Sequence, residues 1–541
     1  MATLKKPIKP VNTLIMTALI GLIGFILWPY VEKFTTPDES TFIYEGFLIS
    51  GLGKLPYRDF FDFVLPGTFY IVALVNFLTG GVSMVALRLV ALLCLGACMG
   101  ITLAIGKQYL SKTWLWALGV ILWFLNFPGG MEIQHHLFST FFGMLGVWFL
   151  WQAVNKNNRQ AIVTGGICIG LAAICTQSLG GLLGLSLTAF LCWQRGVKNT
   201  LYYFVLPAAL PVLAVFGYFA LQGAFTQLWY STVTWLYEGG YRDTSSNTYL
   251  LDGIVKFASI VTSMLKHPSI LWKRLDLVLY LPVILSLALL PPLGLLWPIE
   301  YIGKRVKTMQ QKDWQLALLW FAGVGFFLAT LSYPNTRLVA YHGFILVLLA
   351  CMALQNLLKK HTQAYKGLVI TGLCYTLIYA GLQAEQSWQM LQGPRFISYG
   401  TVEKTLVSPG YYPPDYVAAY NQLLEILHTV CPPGESLFVY NHAPEINLLS
   451  DRHNPTRFQL LMHTLDTPRQ LDEATQTLHT KKPTVIIYDH LDAQNFKKDY
   501  RFKALRNEDY HLHGIEALIE QAYQPLGQLG TLSVFIRTEE K

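Results

Sequence analysis

Twelve apolar blocks pass through the first 385 positions of the chain, at about 12–28, 66–79, 84–106, 113–127, 136–154, 160–177, 180–194, 201–222, 277–298, 314–332, 338–356 and 366–384. A helix needs about 20 such residues, at a 1.5 Å rise, to cross a membrane. The blocks at 66–79, 113–127 and 180–194 fall short, so length alone does not count the spans. The polar residues between blocks do. Put the N-terminus inside and lay 66–79 along the outer surface. The inside loops then hold Lys107 and Lys112; Lys156 and Arg159; Arg195 and Lys198; Lys304, Arg305, Lys307 and Lys312; and Lys359, Lys360 and Lys366. Every inside loop is basic, the usual membrane asymmetry. Counting 66–79 as a span would move all of them outside, and its length reaches only about 21 Å of a ~30 Å core. The pattern predicts an α-helical polytopic membrane protein of about eleven transmembrane helices, N-terminus inside and C-terminus outside. Lys5, Lys6 and Lys9 precede the first block, and no small-residue cleavage site follows it, so it reads as an uncleaved span.

The pattern changes in the tail, 385–541, where apolar runs shorten and charges rise. Ser436–Tyr440, Thr484–Tyr488 and Leu532–Arg537 read as strands. Thr467-Pro468-Arg469-Gln470 reads as a capped helix start, and Ile515–Tyr523 as a second helix. Interleaved strands and helices over about 155 residues predict one extracytoplasmic α/β domain after a membrane domain at 1–384. The tail carries no nucleotide fingerprint. Its Asn441-His442-Ala443-Pro444-Glu445 and Ser450-Asp451-Arg452 turns read as structural.

Composition agrees. Charged residues make up 13% of the 541, against roughly 25% in soluble proteins. The net charge of +8 sits mostly in the inside loops. It therefore points to the lipid bilayer and not to nucleic acid. Seven of the eight cysteines lie in apolar blocks without metal-like spacing, and Cys431 stands alone in the tail, so neither a disulfide framework nor a zinc site is read.

Four loops and the tail share the outer face: 29–83, 127–136, 223–276 and 332–337. The first is the most unusual. It carries Asp38, Glu39, Asp59 and Asp62 in a chain poor in charge. An acidic pair at the mouth of a membrane helix is costly unless water or a cation meets it, which makes it a functional candidate. A solvated loop with helix caps is the plainer reading. The segment 223–276 mixes Trp229, Tyr230, Trp235 and Tyr237 with Glu238, Arg242 and Asp243; it reads as an interfacial belt or as a lid.

Pro37-Asp38-Glu39-Ser40, Tyr44, a small-residue turn, Pro56-Tyr57-Arg58-Asp59 and Pro66-Gly67 resemble the first extracytoplasmic loop of GT-C superfamily glycosyltransferases. The resemblance is to the bacterial group related to protein O-mannosyltransferases and the aminoarabinose transferase of lipid A. It covers about 35 residues; the rest of the chain resembles the family in layout. It implies juxtamembrane helices in this loop and transfer of a sugar from a polyprenyl-phosphate donor, with Asp38 at the position of the family's catalytic acid. In such a reaction a carboxylate takes the proton of the acceptor hydroxyl. Glu39 then orients a partner or binds a cation, since neighbouring helical residues do not share a face. Asp59 and Asp62, with Tyr57 and Arg58, are candidates for acceptor or cation; pairing with Arg58 or capping a turn is the alternative.

The leaving phosphate needs cations where its charge develops. Arg337, after Pro334-Asn335-Thr336, suits this as a bidentate donor, or it snorkels to the interface. His342 and Arg242 are further donor-phosphate candidates, His342 with a plain packing role as the alternative. Glu132, His135 and His136 in the second outer loop are candidates for acceptor or metal. That loop lacks a clear Asp motif, so the residues fix no cofactor, and a divalent cation such as Mg or Mn is the one the resemblance raises. The acceptor, whether lipid, polysaccharide or protein, is not readable. A transporter or flippase of lipid-linked saccharide would show inverted repeats and polar residues at span midpoints, and neither is found. A non-catalytic membrane subunit remains the third reading.

Overall fold

The computed structural model describes residues 10–31, 33–34, 37–126, 131–156, 158–238, 249–266, 275–331, 336–359, 362–399, 406–407, 414–432, 434–440, 443–459, 461, 467–489, 513–530 and 532–538. Helix α1 (Pro10–Val31) leads into strand β1 (Lys33–Phe34) and then into α2 (Pro37–Leu52) and α3 (Gly67–Thr79). The membrane layer follows with α4 (Met84–Gly106), α5 (Lys112–Asn126), α6 (His135–Lys156), α7 (Arg159–Cys175), α8 (Gln177–Arg195) and α9 (Val197–Leu221). After a helical stretch at 225–237 come α10 (Tyr249–Lys266), α11 (Leu275–Gly303), α12 (Gln311–Leu331), α13 (Thr336–His342), α14 (Phe344–Leu358) and α15 (Thr362–Gln392).

Among the described residues, α4, 135–154 of α6, α9 and α12 are long and apolar enough to cross a membrane. Helix ends are set locally. Ser83 caps α4 by accepting from the Ala86 N–H, and Asn158 caps α7 by accepting from those of Gln160 and Ala161. Helix α3 spans 13 residues, about 20 Å at 1.5 Å per residue, which is short of the hydrocarbon thickness. It packs on α2 instead. The approach is close because Gly46 leaves room: a Cβ there would lie 2.3 Å from Val72 Cγ1. One apolar core joins α4–α8 to α12 and α14.

The tail builds β2 (Leu406–Val407), α16 (Pro414–Val430), β3 (Leu437–Tyr440), α17 (Pro444–Ser450), α18 (Pro468–Lys481), β4 (Val485–Asp489), α19 (His513–Ala522), β5 (Tyr523–Leu529) and β6 (Leu532–Arg537). The main sheet has the order β3-β4-β6-β5, with β3 parallel to β4 and the other pairs antiparallel. The capping box at Thr467 and Gln470 forms as read. Strand β5 was not read from the sequence. It contains Pro525 and Gly527, and it holds as an edge strand with a bulge between them. Arg452 is buried and donates to the Cys431 and Ser450 carbonyls, so the turn before it is structural.

The tail rests on the first loop, residues 29–83. Residues of α2, α3, the loop between them, α16, β3 and α17 share one apolar core. Strand β1 pairs with β2. Ser40 Oγ donates to Glu445 Oε2 at 2.8 Å, and Tyr420 Oη to Glu445 Oε1 at 3.0 Å. The Phe61 N–H donates to the Arg457 carbonyl at 2.7 Å, and Arg457 Nη1 to the Tyr57 carbonyl at 3.1 Å. From the 223–276 segment, Trp235 is buried, stacks on Phe63, and donates from Nε1 to Gln470 Oε1 at 2.9 Å. Trp235 therefore fastens the tail to the loop, while Trp229 and Tyr237 stay exposed.

Candidate active site

Asp38 and Glu39 occupy the first turn of α2. Neighbouring helical residues point about 100° apart, and these two carboxylates have separate surroundings. Glu39 is fully buried. Its Oε1 lies 2.5 Å from Arg88 Nη1 on α4, and its Oε2 accepts from Arg88 Nη2 at 2.5 Å. Oε1 also accepts from the Ile133 N–H at 2.7 Å, and Arg88 Nη1 donates to the Met131 carbonyl at 2.5 Å. One buried ion pair thus ties α2 to α4 and to the turn before α6. Asp38 is exposed beside it. Phe42, one turn after Asp38 on α2, lies with its ring 5.4 Å from that of His135.

Three histidines form a column from there. His135 Nδ1 is 2.8 Å from Thr176 Oγ1. The His135 and His136 rings are 3.9 Å apart, and His136 lies 5.1 Å from His342. His342 is buried with Nδ1 3.3 Å from Thr330 Oγ1, and its Nε2 meets no hydrogen-bond partner among the described residues. Beside the column Tyr341 Oη donates to Glu132 Oε2 at 3.5 Å, and Gln134 Nε2 donates to the same oxygen at 2.8 Å. The fold therefore brings Asp38, Glu132, His135, His136 and His342 together from three separate stretches. Arg337 is in the first turn of α13, one helical turn before Tyr341. Its side chain lies outside the described residues, as does the whole of Arg242. Among the described residues no group of three or more His, Cys, Asp or Glu is placed to hold a metal ion.

The second half of the loop has different roles. Asp59 takes both Oδ atoms to the Arg58 guanidinium, and its Oδ2 accepts from the Leu55 N–H at 2.8 Å. Arg58 and that N–H hold its carboxyl below the usual carboxylate range. It is thus a turn cap paired with Arg58. Tyr57 is fully buried, donates from Oη to the Val64 carbonyl at 2.7 Å, and sits at φ 67°. A bulky side chain adopts that left-handed geometry only under outside constraint; here the Arg457 contact and a T-shaped stack on Phe219 supply it. Asp62 is buried with Oδ1 accepting from the Val64 N–H at 2.8 Å. Burial pushes it up to about 6. Fully buried Glu45 beside it is pushed up too, by burial first and by the Asp62 charge second.

Glu45 and Tyr341 carry no sequence signal of their own, and Arg88 stands out only as a lone charge within the spans between about 84 and 222. The signal for Arg88 was present: a lone cation in an apolar block requires a partner, and Glu39 is that partner across 49 positions.

A bundle of apolar helices, two short helices in the first loop, and an α/β domain resting on that loop make up a fold shared with solved membrane-enzyme structures. No family model matches the chain, and no curated protein sequence does. Solved structures of ArnT from Cupriavidus metallidurans share the fold end to end. The form bound to undecaprenyl phosphate aligns over 98% of this chain and 99% of its own, with a TM-score of 0.54 at 12% identity. The apo form aligns over 97% and 98%, with a TM-score of 0.57 at 11% identity.

Proposed function

We propose that this chain is an integral membrane glycosyltransferase that moves a sugar from a polyprenyl-phosphate donor to an acceptor hydroxyl at the outer face of the membrane. The observation that carries the reading is the split between the two acids of α2. Glu39 is consumed by the Arg88 ion pair, while Asp38 is exposed one helical turn before Phe42, which packs on His135 of the histidine column. An exposed carboxylate on a helix fixed by a buried pair is a positioned base. The likeness to an ArnT structure that holds undecaprenyl phosphate supports the donor class.

In this reading the acceptor oxygen attacks the anomeric carbon and gives its proton to Asp38. The bond from that carbon to the phosphate oxygen breaks, and the polyprenyl phosphate leaves with the electron pair. A positioned base contributes about 10²–10⁴-fold. Arg337 meets the charge that develops on the phosphate, where bidentate donors act best. His342 Nε2, buried without a hydrogen-bond partner among the described residues, offers a further contact to the donor. The test is acceptor-dependent release of free polyprenyl phosphate from a polyprenyl-phosphate sugar by the purified protein. Release with covalent transfer of the sugar supports the reading. No release with any donor of this class, across lipid, polysaccharide and protein acceptors, would overturn it.

A further inference from the structure

At the far end of α6, α7 and α8 from the histidine column lies a cavity of about 260 Å³, lined by Arg159, Ile162, Arg195, Asn199 and Tyr203. Helix α6 carries the distance: 22 residues from His135 to Lys156 span about 33 Å at 1.5 Å per residue, the thickness of the hydrocarbon layer. The cavity and Asp38 therefore belong to opposite faces of the membrane.

Its charge is one-sided. Residues 133–237 contain no Asp or Glu, and their four basic residues, Lys156, Arg159, Lys198 and Arg195, all fall at this end. The Arg159 guanidinium lies 5.1 Å above the Tyr203 ring. Arg195 is half-buried and donates from Nη2 to the Ala153 carbonyl at 3.0 Å. That bond and the ring contact hold the two planar cations in place around a space with no carboxylate in its lining. Two guanidiniums and a phenol, with the Asn199 amide tied to the Arg195 carbonyl at 3.0 Å, form a preformed hollow that matches a phosphate ester. The volume fits a phosphate with a small alcohol attached. The wall beside it is apolar and open: Leu201, Tyr202 and Leu206 of α9 are exposed, and α9 is the least buried of the long apolar helices described. Acyl chains would run along that stripe.

We infer that this cavity binds the phosphate headgroup of an anionic lipid in the leaflet opposite Asp38. The same lining would accept a soluble phosphate, and the test separates the two sources. It does not depend on the reaction proposed above. Full-length protein is placed in phosphatidylcholine nanodiscs with graded phosphatidylglycerol, and retained lipid is counted by native mass spectrometry. Arg159→Gln/Arg195→Gln removes the cavity cations; Lys112→Gln/Lys198→Gln removes equal charge from exposed side chains outside the lining. The arginine pair should lose phosphatidylglycerol retention by about tenfold or more, and the lysine pair by much less. Arg159→Gln alone, on an exposed side chain, should lose about threefold or more and carries the test should the double variant fail to fold. Inorganic phosphate is tested in phosphatidylcholine nanodiscs by ³¹P line broadening. Phosphate binding without lipid retention moves the site to a soluble anion and refutes the lipid assignment. Equal retention in wild type and the arginine variants, or equal loss in the arginine and lysine pairs, refutes the site altogether.

Discussion

Glu39→Gln should loosen the first outer loop without unfolding the chain. The substitution keeps the shape but leaves the Arg88 cation buried and uncompensated. Glu39 accepts from Arg88 Nη2 and the Ile133 N–H, and Arg88 also holds the Met131 carbonyl, so three segments depend on one charge pair. Breaking a fully buried pair by removing one partner costs about 3–5 kcal/mol. If that cost falls on local opening of α2, its amides should exchange about 10²- to 4 × 10³-fold faster, at 1.4 kcal/mol per tenfold. Hydrogen exchange read by mass spectrometry on peptides covering 37–52 and 131–137 measures this directly. Glu39→Gln/Arg88→Met removes both charges and should recover most of the protection, because burying neither ion is close to neutral. Asp38→Asn should leave exchange unchanged. Unaltered exchange in Glu39→Gln, or a double variant worse than either single one, would refute the claim that this pair fastens the loop.

The buried carboxyls give a pH dependence. Asp62 is raised in the folded chain, so its stabilising contribution is present below its ordinary value and is lost as pH rises through about 6; the raised Glu45 extends the loss upward. Wild-type thermal stability should therefore fall from about pH 4 toward pH 8, and Asp62→Asn, which keeps the acceptor for the Val64 N–H, should flatten the profile by up to about 3 kcal/mol; an identical profile refutes it. Ser40→Ala removes a hydrogen bond to buried Glu445, worth about 1.5–3 kcal/mol, and should speed exchange in the peptide covering α17; unchanged exchange there would deny Ser40 a docking role. Arg337→Lys keeps the charge and loses the planar fork, so donor turnover should weaken with the fold intact, and wild-type kinetics would remove Arg337 from the site.

What could be read in the sequence was local. The capping box at Thr467 needs only four residues, and the strands near 437, 485 and 532 need only a run of apolar side chains. The first-loop acids stood out because charge is rare in this chain. What could not be read depends on contacts across the chain. Ser40 and Glu445 are 405 positions apart, and nothing in either stretch names the other. Trp235 looked like an interfacial aromatic because interfacial belts and buried docking residues use the same side chains; only the position of Gln470 decides. Strand β5 was hidden by Pro525 and Gly527, which an edge with a bulge tolerates and a central strand does not. The division of labour between Asp38 and Glu39 was half legible: helical spacing separates their faces, but which one meets Arg88 is set by the register of α2 against α4.

The central claim is that Asp38 is the base and Glu39 is not. The measurement is single-turnover sugar transfer from a polyprenyl-phosphate donor by purified Asp38→Asn protein, alongside wild type, with donor binding and hydrogen exchange of α2 recorded on the same preparation. The account predicts transfer slowed by at least ~10²-fold, with donor affinity and exchange close to wild type. Transfer by Asp38→Asn at the wild-type rate would contradict it.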